Sequence, residues 1–256
     1  MLAYLERAEI FFLVLVRLTA FFMVAPIFSV RSIPVLARVG LAMLLAFLLF
    51  PTLSAPQPVF ASELAYALAA LREALVGLAL GYLAALLLAT VQVGGELLDV
   101  HMGLSMANLM DPQYGMPVSL WGQFFTLLGL LLFLQFDGHH IILLALGESF
   151  RILPPGSAQF SGVLVQDVVR IWGDVMRWSL RLALPVIGIL LIADIALSLV
   201  ARTVPQLNVF ILSFPIKLGL GLLVVILILP FFAAAVSNLL GQMERELGVI
   251  LSHWPH

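Results

Sequence analysis

Ala193-Asp194-Ile195, then Arg202-Thr203-Val204-Pro205-Gln206-Leu207-Asn208-Val209-Phe210, then Phe214-Pro215-Ile216-Lys217 set an acid, two bases, an amide pair and two prolines inside otherwise near-continuous hydrocarbon. Polar side chains at such depth are costly unless they face protein or water, so these helices belong to something larger than isolated lipid-exposed spans. Asp194 and Arg202 are eight residues apart, about 12 Å along a helix, too far to pair within it. Their partners are therefore expected on other helices. A proton relay needs a second carboxylate to continue it, and the sequence positions none. A salt bridge between subunits or a helix-end interaction is the reading preferred for Asp194 and Arg202, and Lys217 reads as a packing or interface lysine.

Composition carries the same message over the whole chain. Of 256 residues, 63% are hydrophobic and 10% charged, and the mean hydropathy is +1.16, so the surface of a water-soluble domain of this size could not be made polar. Uncharged runs from Val39 to Ser62, Ala74 to Gly95, Pro112 to Phe136 and Leu218 to Met243 each meet the requirement of about 20 apolar residues for a spanning helix. The net charge of -2 and the lack of any long Lys/Arg cluster exclude nucleic acid and a polybasic membrane anchor. With no cysteine, disulfides, thiolate metal sites and thiol catalysis are excluded too. The first residues, Met1 to Glu9, lack the basic region and cleavage site of a signal peptide and read as the start of a retained helix.

The pattern predicts helices over about residues 5–30, 35–51, 61–110, 115–136, 138–152, 160–202 and 208–246. Pro26, Pro185 and Pro230 are expected to bend the first, sixth and last of these, because each removes a backbone donor and crowds the preceding turn. Turns are expected at Pro51 to Pro58, at Asp137-Gly138 and at Pro154-Pro155-Gly156. No linker or internal repeat divides the chain, which reads as one all-α, membrane-associated domain, residues 1–256, built of helical hairpins with bent and broken helices. Arg31 and Arg38 mark a cytoplasmic loop by the positive-inside rule, but later connections carry mainly acids and do not alternate, so simple hydropathy is a poor guide to topology.

Asp167, Arg170, Asp174, Arg177 and Arg181 recur at intervals of three and four and share one helix face. They form either a polar seam against protein or a hydrated interior, or a solvated helix end. Glu73 precedes Gly77 and Gly81, whose spacing of four would let another backbone approach closely. Glu96, Asp99, His101, His139, His140 and Glu148 could suit a metal, but there is no His-Glu-x-x-His and adjacent histidines cannot point the same way on a helix. Ser105 with His139 or His140 could be taken for a serine nucleophile and its base, but nothing in the sequence fixes that geometry. No cofactor motif is present, and the chain has no P-loop. The segment Met102 to Pro117 has glycines and prolines that break a helix, yet carries four methionines, side chains that fill irregular and changing contours. It reads as a loop inside a pore or as a re-entrant turn buried against its own helices.

Taken together, the Pro-Gln-x-Asn-Val-Phe run, the Glu73…Gly77…Gly81 segment and the Gly103-Leu104-Ser105-Met106-Ala107…Asp111-Pro112 loop resemble the R subunit of the bacterial flagellar type III export gate over nearly the whole chain. The resemblance implies a non-enzymatic subunit in the bacterial inner membrane, within the flagellar basal body. Its helical hairpins would stack as a spiral largely above the bilayer plane. The N-terminal part would imitate a P subunit and the C-terminal hairpin a Q subunit, so that P and Q subunits are the implied partners, with further export-apparatus membrane subunits, lipid and transient unfolded protein substrates. In that family the loop after the long central helix resembles a channel plug, which implies this role for Met102, Gly103, Leu104, Ser105, Met106, Leu109, Met110, Asp111 and Pro112. Glu73, Asp167, Arg170, Asp174, Arg177, Asp194, Arg202, Gln206, Asn208 and Lys217 would face subunit interfaces or a polar interior. Virulence injectisomes carry an equivalent subunit, which is one alternative; a transporter with Asp194, Arg202 and Lys217 at a midplane site is another.

Overall fold

The computed structural model describes residues 2–29, 33–53, 60, 62–105, 119–159, 162–204, 206 and 208–254. Among them all regular structure is helical: α1 (Leu2–Val24), α2 (Val35–Leu49), a 3-10 turn at Phe50–Thr52, α3 (Glu63–Met102), α4 (Leu120–Gln135), α5 (Gly138–Ile152), α6 (Gly162–Thr203) and α7 (Val209–His253). The expected number and order of long helices hold.

Where the ends differ from expectation, local chemistry explains it. The first helix does not run through a bend at Pro26; it stops at Val24, because the residue before a proline resists the helical conformation and Ile27 turns left-handed at φ 70°. The third stops at Met102, not near residue 110, because Gly103 takes φ 83°, a conformation open to glycine but strained for other residues. α4 starts at Leu120, where Ser119 caps it by accepting from the Gly122 N–H at 2.9 Å. Asp137, left-handed at φ 55°, interrupts the path between α4 and α5. Pro185 lies inside α6, and Pro215 and Pro230 inside α7, without ending either helix. The last helix continues past residue 246 to His253, its final turns burying Leu247, Ile250 and Leu251.

The chain forms two compact units. The first comprises residues 1–87, 137–171 and 240–256. In it α1 buries Ile10, Leu13, Val14, Arg17, Leu18, Phe21 and Phe22, the three- and four-residue spacing of one helix face. α3 supplies Ala69, Glu73, Val76, Leu80 and Ala84, and α5 supplies Ile142, Leu146 and Phe150. The second unit comprises residues 88–136 and 172–239. Its interior holds Val91, Leu98, Met102, Trp121, Phe125 and Phe133 with Val175, Ala183, Val186 and Leu190 of α6 and Val224, Val225, Phe232 and Val236 of α7. The rings of Phe125 and Phe232 stack there with centroids 4.8 Å apart.

Four helical stretches are long and apolar enough to cross a membrane: Val35–Thr52, Glu63–Met102, Gln166–Thr203 and Ile211–His253. The helices α3, α6 and α7 hold 40, 42 and 45 residues. At 1.5 Å per residue each is about 60 Å or longer, roughly twice the hydrocarbon thickness of about 30 Å, so none is a simple span. The second unit also leaves Ile192, Ile195, Leu199, Ile226, Leu227 and Phe231 exposed, a hydrocarbon surface that a monomer in water would not keep bare.

Candidate functional site

In the first unit the glycines of α3 decide how close α1 can come. A Cβ on Gly77 would stand 2.1 Å from the Arg17 carbonyl oxygen, and one on Gly81 would stand 2.7 Å from that of Phe21, so the two backbones touch where side chains would otherwise hold them apart. That approach puts the guanidinium of Arg17 beside Glu73, one turn before Gly77, with both side chains fully buried. Arg17 Nε donates to Glu73 Oε2 at 2.5 Å. Its Nη1 donates to the Ser149 carbonyl at 3.0 Å and to Ser149 Oγ at 3.2 Å, and its Nη2 donates to the Leu153 carbonyl at 3.0 Å. The Phe150 ring lies 4.3 Å from the guanidinium carbon. A cation thus meets carbonyls at the C-terminal end of α5, where helices leave acceptors unsatisfied and carry partial negative charge. The second oxygen of Glu73 accepts from the Gly156 N–H at 2.8 Å and pins the Pro154-Pro155-Gly156 turn. One ion pair therefore ties α1, α3, α5 and that turn together.

In the second unit a loop leaves α3 and returns to α4 at one place. Asp99, 3% exposed in the last turn of α3, accepts from Ser119 Oγ and, at 3.2 Å, from the Trp121 N–H. A carboxylate at the start of α4 is favoured both by these donors and by the helix dipole. Met102 is buried against Gly221 of α7, and Gly103 lies beside the Phe214 ring. Leu104 and Ser105 follow at intermediate exposure. Met106, Leu109, Met110, Asp111 and Pro112, the rest of the plug expectation, lie outside the described residues.

The acid and base stripe on α6 resolves into separate pairs. In the first unit Asp167, largely buried, lies 2.9 Å from His253 Nδ1 and 3.4 Å from Arg170, and Arg170 reaches Glu246 at 2.7 Å. In the second unit Asp174 pairs with Arg177 at 2.6 Å, and Arg181 lies over the Trp178 ring at 5.0 Å. Asp194 and Lys217, placed on different helices by the turn between α6 and α7, bridge at 2.5 Å with side chains 40% and 20% exposed. Their counter-charges come from this chain itself. Arg202 makes no ion pair among the described residues, and it is exposed at the hairpin tip with Gln206 and Asn208. The structure therefore brings Asp194 and Lys217 together and leaves Arg202 apart from them.

Among the described residues no three His, Cys, Asp or Glu side chains come together to hold a metal ion. Asp99 serves the start of α4, Glu96 accepts from Gln92 at 2.9 Å, and Glu148 pairs with Arg151 at 3.0 Å. Sequence reasoning missed Arg17, although a lone arginine inside Ile10-Phe11-Phe12-Leu13-Val14-Leu15-Val16-Arg17-Leu18 was a visible signal of the kind applied to Asp194. It also missed Glu246 and His253. These lie 76 and 86 residues from their partners, and no local pattern announces them.

Comparison with known proteins matches residues 8–243 to a family described as bacterial export proteins, family 1. The chain is 35% identical over 235 residues to the flagellar biosynthetic protein FliR of Bacillus subtilis (strain 168), covering 89% of each chain. It is 33% identical over 253 residues to that of Escherichia coli (strain K12), covering 98% of this chain and 96% of the relative. A secretion system apparatus protein, SsaT of Salmonella typhimurium, is 31% identical over 160 residues, 62% of each chain.

Proposed function

This chain belongs to the bacterial export proteins, family 1, and we propose that it works as a core subunit of the flagellar type III export gate, forming part of the channel for unfolded flagellar proteins. The observation that carries the reading is likeness to flagellar biosynthetic proteins along almost the full chain, against 62% for the secretion-apparatus relative. The family is one of export-apparatus proteins and not of enzymes, and the subunit acts by shape and not by chemistry on its cargo. It sits in the bacterial inner membrane within the basal body, as one domain whose N-terminal part imitates a P subunit and whose C-terminal hairpin imitates a Q subunit. P and Q subunits cover the apolar faces left bare on α6 and α7. The loop opened by Met102 obstructs the conduit, a reading supported by the hydrogen bond from Ser119 Oγ to Asp99 that joins the helix ends on either side of it.

Deleting the gene is expected to abolish flagella and secretion of hook and filament proteins, with full recovery from a plasmid copy. Persistence of both in the deletion strain defeats the flagellar reading. Removing Ser105 to Met110 is expected to raise passage of small solutes through the assembled complex; equal passage with normal complex yield makes the loop structural filler.

A further inference from the structure

Within the first unit α3, α6 and the end of α7 leave a half-open pocket of about 280 Å³, with Ala79, Tyr82 and Leu83 of α3, Val168 of α6, Ile250 of α7 and Trp254 just after it among its walls. The lining is almost entirely hydrocarbon, which denies water the two to four polar partners it needs to stay. Left unfilled, the pocket would forfeit dispersion contacts along all of its walls, so an apolar occupant is favoured. One turn of a helix, about 10 Å across and 5.4 Å tall, takes up about 420 Å³, more than the pocket holds. A flexible hydrocarbon chain does fit. An apolar cavity of about 150 Å³ takes up benzene, so one nearly twice that size has room for roughly ten carbon atoms.

The approach to the pocket along α3 points to the rest of the ligand. Leu75, 42% exposed, stands one turn before Ala79, and exposed Arg72 stands two turns before it, so the three share one helix face. From Arg72 to Leu83 is about 16 Å along the helix, close to half the hydrocarbon thickness of about 30 Å, the depth that one acyl chain spans. A guanidinium holds phosphate by paired, charge-assisted hydrogen bonds, and it can do so while its stem lies on an apolar surface. The neighbouring carboxylate of Glu73 is buried against Arg17 and does not compete. We infer that these helices form a site for one membrane phospholipid, its phosphate at Arg72 and one acyl chain running past Leu75 into the pocket. Only a bilayer against α3 is needed for this, so the lipid site and the export reading stand or fall separately.

The measurement is photolabelling of the complex purified with its partner subunits in detergent. It is titrated with a phosphatidylglycerol that carries a diazirine near the end of one acyl chain, irradiated, and mapped by peptide mass spectrometry. Saturable label is expected on the segment from Ile250 to Trp254, against unsaturable label on Phe47 of α2, which is 71% exposed. Ala79→Phe fills the pocket and should lower the label from Ile250 to Trp254 about tenfold while leaving that on Phe47 unchanged. If Ala79→Phe does not assemble, Val168→Phe at the half-exposed mouth carries the same expectation. Arg72→Gln should raise the half-saturating concentration about fivefold, and a fatty alcohol with the same diazirine, which has no phosphate, should not respond to it. Label that does not saturate, or that survives filling of the pocket, overturns the site. No label there at all, as when a partner subunit's side chain holds the pocket, overturns it too. An unchanged half-saturation in Arg72→Gln overturns the assignment to a phospholipid. Motility of the same strains reads the export function independently of each result.

Discussion

Arg17–Glu73 in the first unit and Lys217–Asp194 in the second are both ion pairs between apolar helices, yet they are different physical objects. The first has both side chains fully buried, and each of its other nitrogens and oxygens is hydrogen-bonded, to Ser149, Leu153 or Gly156. The second is partly open to its surroundings, and no further hydrogen bond joins either side chain to another residue among those described. A buried pair whose nitrogens and carboxylate oxygens are each hydrogen-bonded holds backbone segments in place, whereas a half-open pair is worth about 1 kcal/mol or less within one chain. The contrast separates a charge that serves the fold of this subunit from charges left available for what surrounds it.

Breaking the first pair should have the largest effect. Glu73→Ala leaves a buried guanidinium without its carboxylate and frees the Gly156 N–H, at a cost of about 3–5 kcal/mol; recovery of assembled complex from membranes should fall sharply. The comparison is sharpened by Arg17→Met with Glu73→Leu. Buried pairs can often be exchanged for hydrocarbon without loss, but here the Leu153 carbonyl and the Gly156 N–H would lose their partners, so this double variant should stay destabilised. A melting temperature equal to that of the unaltered complex would falsify the view that the pair acts through the backbone.

Gly77→Ala comes next. Its Cβ meets backbone and not a movable side chain, so α1 and α3 must separate, at about 1–3 kcal/mol. Hydrogen exchange at the amides of α1 should quicken, and protection equal to that of the unaltered protein would show that the close approach carries no weight. For Asp167→Asn, which weakens contacts to Arg170 and His253 at a largely buried carboxylate, a loss of about 1 kcal/mol is expected. That loss would be read as a lowered denaturation midpoint. Lys217→Ala should change the stability of this chain by less than that, while any effect on complex yield reports what partners place beside Asp194. A drop in stability as large as that of Glu73→Ala would erase the distinction between the two pairs. Smallest of all is Arg151→Ala, whose pair with Glu148 is an exposed i,i+3 contact worth about 0.2–0.5 kcal/mol; unchanged motility is expected.

Much of this fold was legible because helix-forming information is local. Apolar runs, turn dipeptides and the Glu73, Gly77, Gly81 spacing are enough to place seven helices and one close-approach face. The errors came where one residue's backbone conformation decided an end. Ile27 and Gly103 turn left-handed and stop helices that composition alone would have continued. The stripe on α6 showed the reverse difficulty. Its spacing leaves open a polar seam or a solvated helix end and names no partners outside the helix; side chains pair with whatever lies nearest, and Arg170 reaches Glu246 rather than Asp174.

From the sequence alone come the class of the protein, its helical makeup, its need for a surrounding of lipid or protein, and its likeness to export-gate subunits, because all of these depend on composition and on motifs within a few turns of one another. Tertiary structure alone decided which distant residues meet. Arg17 with Glu73, Asp167 with His253, Asp194 with Lys217 and Met102 with Gly221 join separate helices. Such pairings follow from the register at which packed helices settle, and that register is set by the summed fit of many side chains, which no short stretch of sequence contains.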